Sequence, residues 1–203
     1  MMSHLGEVRV RDARNGEFVI DEFEVSEKAA RQFNVYQMMS YSSRYIRPGK
    51  YVRLCAYNGK GSRTRLIMSN TPAEIRDHQE FYANASGRVL ICGLGLGMIL
   101  HAIAAKEVVS EIVVVEKQPE IIDMVAPHFP EKRITILQGD AFAPASINGL
   151  NGKFDVMYFD IWDEISGDAY DEMIKLASLW RRWKAQGARS YCWCKKEARA
   201  RAR

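Results

Sequence analysis

From residue 88 onward the apolar positions come in short unbroken runs. Val89-Leu90-Ile91-Cys92, Ile112-Val113-Val114-Val115, Ile134-Thr135-Ile136-Leu137 and the stretch Phe154 to Phe159 each have the length of a strand. They leave little face for water, the pattern of a sheet covered on both sides. Between them the pattern changes. Met98 to Lys106, Pro119 to about His128 and Asp168 to about Lys184 read as helices, and residues 143–152, rich in Ala, Pro, Gly and Asn, read as a loop. Ser190 to Trp193 predicts a short fifth strand, and the Arg/Ala/Lys tail a further helix. Strands alternating with helices imply a mostly parallel, doubly wound sheet with right-handed crossovers.

The first third is patterned differently. Val8 and Val10 alternate with charges, Asn15-Gly16 is a hairpin turn, and Glu17 to Ile20 returns. Ser26 caps a helix from Glu27 to about Met39, with Ala29, Ala30, Phe33 and Gln37 at helical spacing, before Arg47-Pro48-Gly49 breaks the pattern. Tyr51 to Ala56 alternates as a strand, Asn58-Gly59-Lys60-Gly61 turns, and Arg63 to Met68 returns as a second hairpin arm. Thr71-Pro72-Ala73-Glu74 then opens a helix to about Asn84: Thr71 can cap, Pro72 suits the first position and Glu74 can close a capping box. The predicted fold class is therefore α/β, a Rossmann-like doubly wound domain over residues 71–203 preceded by a small β-hairpin module over residues 1–70.

Charge adds an asymmetry. The net charge of +4 is concentrated at the end: from Arg181 onward nine basic residues stand against Glu197 alone, so the first 180 residues are net acidic. A basic tail can attract nucleic acid, but charge blocks at chain ends are common, and a solvated, partly frayed terminus is the plainer expectation. With 47% hydrophobic and 27% charged residues and no apolar run of membrane-spanning length, a soluble globular protein with no membrane association is expected. Cys92 falls within the central strand as a buried thiol, and Cys192 and Cys194 lack the His or Cys company that zinc needs. No metal and no disulfide are expected, which suits a reducing cytoplasm.

In a doubly wound sheet ligands bind beyond the C-terminal strand ends, where strand order reverses. The four ends are Gly93-Leu94-Gly95-Leu96-Gly97, Glu116-Lys117, Gly139-Asp140-Ala141-Phe142 and Asp160-Ile161-Trp162-Asp163. Their glycines and carboxylates suit a nucleoside. Glycines at 93, 95 and 97 let backbone approach a ligand, as in any tight turn. Glu116, 19 residues after Gly97, can accept from both ribose hydroxyls, and Asp140 from an adenine amine. A dinucleotide fingerprint requires G-x-G-x-x-G, and Met98 stands where its third glycine belongs. The constellation points to S-adenosylmethionine, which has no phosphates.

These residues resemble the ordered motifs of class I S-adenosylmethionine-dependent methyltransferases: Gly93 to Gly97, Glu116, Gly139-Asp140-Ala141 and Asp160. More closely, the segments RVLICGLGLG, EIVVVEKQPEII, RITILQGDAF and FDVMYFDIWDE are similar to the spermidine synthase-like branch, including methyltransferase-like proteins of phages and bacteria. That branch carries an N-terminal β module. The resemblance implies cofactor binding by Gly93, Leu94, Gly95, Gly97, Glu116, Lys117, Asp140, Ala141 and Asp160. Two departures stand out. Polyamine aminopropyltransferases have Gly-Gly-Gly-Asp-Gly in the turn, and Leu96 occupies the Asp position; Asp160 and Asp163, however, match their D-x-x-D loop. Typical members also add two strands after the fifth, and few residues follow Lys184 here, so a reduced C-terminal sheet edge is expected.

The reading that follows is methyl transfer to an unknown acceptor. Asp160 would orient or deprotonate the acceptor, with Asp163 and Trp162 lining that side; His78 could reach the pocket, although a helix-surface position is commoner. Aminopropyl transfer from the decarboxylated cofactor, and a binding module without turnover, are the alternatives. The exposed edges of the hairpin module suit a homodimer.

Overall fold

The computed structural model describes residues 4–40, 44–58 and 62–202. The first sheet is an antiparallel meander of four strands: β1 (Ala13–Asn15), β2 (Phe18–Val25), β3 (Gly49–Tyr57) and β4 (Arg63–Ser69). Asn15 pairs with Phe18, so Gly16 and Glu17 form a two-residue hairpin loop, Gly16 at φ +57°. The hairpin is shorter on its first arm than the alternation predicts. Residues 7–12 pair with no strand; Val8 and Val10 are buried instead as irregular chain, fastened by Arg9, which donates to the His128 carbonyl and pairs with Glu131. Of the Asn58-Gly59-Lys60-Gly61 turn, residues 59–61 lie outside the described residues.

Between β2 and β3 runs α1 (Glu27–Met39). Ser26 caps it as expected, its hydroxyl accepting from the Ala29 N–H at 3.2 Å. Only Ala30 is buried, while Phe33, Val35, Tyr36, Met38 and Met39 are exposed. Thr71 precedes α2 (Pro72–Asp77) but its side chain makes no capping bond. Glu74 reaches two residues further back instead, accepting from Ser69 N at 2.8 Å and Ser69 Oγ at 2.9 Å, and so ties the helix to the end of β4. The expected single helix to Asn84 breaks at His78, whose ring is fully buried, and resumes as α3 (Gln79–Asn84).

The second sheet contains β5 (Gly87–Cys92), β6 (Val109–Glu116), β7 (Ile134–Gln138), β8 (Phe154–Phe159) and β9 (Lys184–Cys192). All neighbours pair parallel, in the order β7-β6-β5-β8-β9. The order reverses between β5 and β8, which is the doubly wound arrangement predicted. The connecting helices are α4 (Met98–Ala104), α5 (Pro119–Val125) and α6 (Gly167–Leu179). One core packs the faces of β5 and β6 and α4 against the first sheet; a second, under the other face, surrounds Trp180.

Two boundaries differ from expectation. α6 ends at Leu179, because Trp180 and Trp183 turn inward through a short 3-10 segment; Trp180 is fully buried and donates its Nε1–H to the Ala141 carbonyl. The fifth strand consequently starts at Lys184, six residues earlier than predicted, and is nine residues long. It is the edge of the sheet among the described residues. The basic tail is folded, not frayed: α7 (Lys195–Arg201) packs on α6 through Ala198, which is fully buried. No helix among the described residues is long and apolar enough to cross a membrane.

Candidate functional site

A cleft of about 850 Å³ lies between the C-terminal ends of the parallel strands and the first sheet. All four strand ends contribute. Gly93 and Gly95 follow β5, Glu116 ends β6 with Lys117 just after it, Gly139 to Phe142 follow β7, and Asp160 to Asp163 follow β8. Leu94 and Gly97, expected beside the cofactor, are not part of the lining. Leu94 is buried in the core, and a Cβ at Gly97 would meet Phe129 at 2.7 Å, so this glycine serves packing. Leu96 and Met98 are likewise fully buried and face away from the cleft.

The turn after β5 holds itself in place. Gly93 N–H donates to the Val115 carbonyl at 2.8 Å and Gly97 N–H to the Leu94 carbonyl at 2.9 Å. Leu94 N–H donates to Glu116 Oε2 at 2.8 Å, and Leu96 N–H to the Met68 sulfur at 3.5 Å. A Cβ at Gly93 would overlap the Asp160 carbonyl, so the end of β8 rides directly against the turn. Glu116 is buried; its Oε1 accepts from Gln118 N–H at 2.9 Å. Asp140 accepts from Phe142 N–H at 2.8 Å and pairs with Lys117 at 2.9 Å, which together hold its carboxyl below the usual carboxylate range.

The opposite wall comes from residues the sequence did not single out. β4 supplies Arg65, Leu66 and Met68, and α1 supplies Ala29 and Phe33. Arg65 Nε lies 2.9 Å from Asp163 Oδ2, bridging the two sheets across the mouth. Trp162 donates its indole N–H to Glu172 at 2.8 Å. No spacing signal along β4 distinguishes a cleft wall from an ordinary hairpin arm; only the docking of one sheet on the other creates it.

No protein-family model matches the chain. No curated protein matches it either. Among solved structures, an S-adenosylhomocysteine-bound methyltransferase of Podospora anserina is similar at 16% identity over 59% of this chain and 50% of that one, with a TM-score of 0.43. An amino pentose methyltransferase of Micromonospora echinaspora with bound S-adenosylmethionine is similar at 17% over 54% and 42%, TM-score 0.39. An arsenic(III) methyltransferase of Chlamydomonas reinhardtii is similar at 17% over 51% and 37%, TM-score 0.42. The chain thus spans half or less of the length of these three structures.

Part of the cleft lining is a buried polar cluster. Burial, reinforced by Glu74, Asp77 and Glu116, holds the Asp160 carboxyl well above the usual carboxylate range. His78 Nδ1 lies 3.8 Å from Asp160 Oδ2 and 2.7 Å from the Tyr158 hydroxyl. Burial and the nearby Arg44 charge lower the His78 pKa to about 4. With its pKa near 4, His78 is neutral at neutral pH, so its close approach to Asp160 is not an ion pair. Burial keeps the Tyr158 phenol protonated, so its hydroxyl is the natural donor to Nδ1. The imidazole proton then sits on Nε2, which is buried and finds no partner among the described residues. Glu74 and Asp77 are also raised by burial; Asp77 is offset by Arg44, whose Nη1 donates to it at 2.6 Å. Chain position alone does not bring His78 inward; its partner, Tyr158, lies 80 residues away.

Proposed function

We propose that the chain is an S-adenosylmethionine-dependent methyltransferase whose acceptor enters between α1, β4 and Asp160. The observation that carries this reading is how the turn after β5 uses its N–H groups. Those of Gly93, Leu94, Leu96 and Gly97 are committed to acceptors within the protein. A pyrophosphate needs such donors free; an adenosyl sulfonium does not. The carboxylates remain competent for the nucleoside. Each oxygen of Glu116 accepts one backbone N–H and retains a second acceptor site, sufficient for two ribose hydroxyls. Asp140 stands at the next strand end for the adenine amine.

The bound cofactor supplies an electrophilic methyl group. The protein's own contribution is alignment, exclusion of water and management of one proton. Asp160, Trp162 and Asp163 line the acceptor side, and β4 with α1 covers it. Burial disfavours the Asp160 carboxylate in the ligand-free cleft; a cationic ligand beside it favours the charged form. Loading the site therefore makes the Asp160 carboxylate, the proton-accepting form, more available, while the Asp160 N–H, donating to the Cys92 carbonyl at 2.8 Å, keeps its main chain in place.

The spermidine synthase-like branch, with aminopropyl transfer, is favoured by one observation: both aspartates of the D-x-x-D loop line the cleft. Against it, Leu96 contributes no carboxylate and is fully buried. Calorimetry with S-adenosylhomocysteine, followed by transfer of labelled methyl to candidate acceptors, tests the proposal. Asp160→Asn should retain cofactor binding and lose roughly 10²–10⁴ in turnover, the range for a lost proton acceptor. Failure of the wild type to bind S-adenosylhomocysteine would sink the proposal, and spermidine formed from putrescine and decarboxylated cofactor would establish the second reading. Tight binding with no turnover would point to a binding module.

A further inference from the structure

We propose that His4, Glu7 and His101 form a binding site for one divalent transition-metal ion of the zinc type, distinct from the cleft. None of the three lines the cleft. Glu7 Oε2 lies 3.0 Å from His101 Nε2 and 3.4 Å from His4 Nδ1, and all three ligand atoms lie within 4.8 Å of one another. The two imidazoles stand edge to face with centroids 5.9 Å apart. Tetrahedral zinc with bonds of about 2.0–2.1 Å places neighbouring ligand atoms roughly 3.3 Å apart, so two edges of the coordination triangle are already near the right length. His4 and Glu7 are exposed and can close the third by side-chain rotation. Two histidines and one carboxylate suit zinc, with the fourth position left to water.

The spacing 4, 7 and 101 contains no local metal motif; the fold assembles the set. Leu5, Val8 and Val10 are buried against the main core, yet the chain around them lacks strand pairing. An ion at this site would tie that segment to α4, one turn beyond the glycine turn. A competitor is built in. Arg9 Nε donates to His101 Nδ1 at 2.9 Å, which requires a lone pair there and so places the imidazole proton on Nε2. Metal at Nε2 moves that proton to Nδ1, and Arg9 gives up this bond while keeping its contacts with the His128 carbonyl and Glu131. An amide oxygen in place of the guanidinium can accept from Nδ1–H, so Arg9→Gln should bind metal more tightly than the wild type.

The test is calorimetric titration of the untagged full chain with zinc chloride, with cobalt(II) as the spectroscopic probe. Expected are one zinc per chain, the intense visible bands of tetrahedral cobalt, and at least tenfold weaker binding in His4→Ala, Glu7→Gln and His101→Ala, equivalent to about 1.4 kcal/mol each. Arg9→Gln should shift affinity in the opposite direction, so poor folding of one variant does not decide the outcome. Zinc bound equally by the wild type and all three ligand variants, or not bound at all, overturns the proposal.

Discussion

Replacing Glu116 by Ala separates the two tasks that this carboxylate has in the proposed site. Its structural task is to accept the N–H groups of Leu94 and Gln118. Leu94 is buried, and a buried donor without a partner costs roughly 1–3 kcal/mol; the donor of Gln118 is nearer solvent and can turn to water. A loss of about 2 kcal/mol corresponds to a melting temperature lower by roughly 4–8 °C for a chain of this size. Its second task is to hold the ribose. Hydrogen bonds to a charged group contribute about 1.5–3 kcal/mol each, and water will replace part of what two of them give. A net loss of about 3 kcal/mol means roughly hundredfold weaker binding of S-adenosylhomocysteine. Calorimetry well below the melting temperature reads the second effect, and differential scanning fluorimetry the first. Val109→Ala is the control: Val109 begins β6 at the opposite end and is fully buried, so it lowers stability without touching the ligand. If Glu116→Ala melts lower but binds S-adenosylhomocysteine within about threefold of the wild type, the ribose assignment is wrong and with it the argument from the strand ends.

Two further predictions concern the fold around the cleft. Gly93→Ala places a methyl group on the Asp160 carbonyl at φ +100°, so it should cost more than about 3 kcal/mol or abolish soluble expression. Gly187→Ala, at φ +76° with nothing within 4 Å, carries only the left-handed penalty of roughly 1–2 kcal/mol; equal melting temperatures for the two variants would contradict the packing described. His78 makes stability depend on pH. The unfolded histidine takes up a proton near its ordinary value of about 6.5, whereas the folded one resists until about 4. The unfolded state therefore binds more protons in that window, and stability falls as the pH drops through it, by up to about 3 kcal/mol from this group. Denaturant unfolding at a series of pH values should show a shallower acid loss in His78→Gln than in the wild type, and parallel curves would remove His78 from the account.

The parallel sheet was legible because burial on both faces leaves an unbroken apolar run, and the strands from β5 to β8 carry one. β9 does not, since Lys184 to Cys192 forms the edge of the sheet and keeps polar residues along most of its length; only its last residues resemble a strand locally. The site divides in the same way. Its strand-end half was legible because each carboxylate follows its strand within a few residues. Its other wall and His78 depend on where one sheet settles on another, and the settling is written in contacts such as Arg65 to Asp163 and His78 to Tyr158 that no short window contains. The glycine turn shows why a motif and its cause can differ. Read along the chain, its glycines make room for a ligand. In three dimensions Gly93 makes room for the Asp160 carbonyl and Gly97 for Phe129. The close approach at Gly93 is also what brings the end of β8 against the turn and places Asp160 at the cleft. A side chain at Gly93 would thus disturb the proposed catalytic carboxylate even where it left the cofactor surface intact. In this chain, the shape of the glycine turn and the position of Asp160 follow from the same packing constraint.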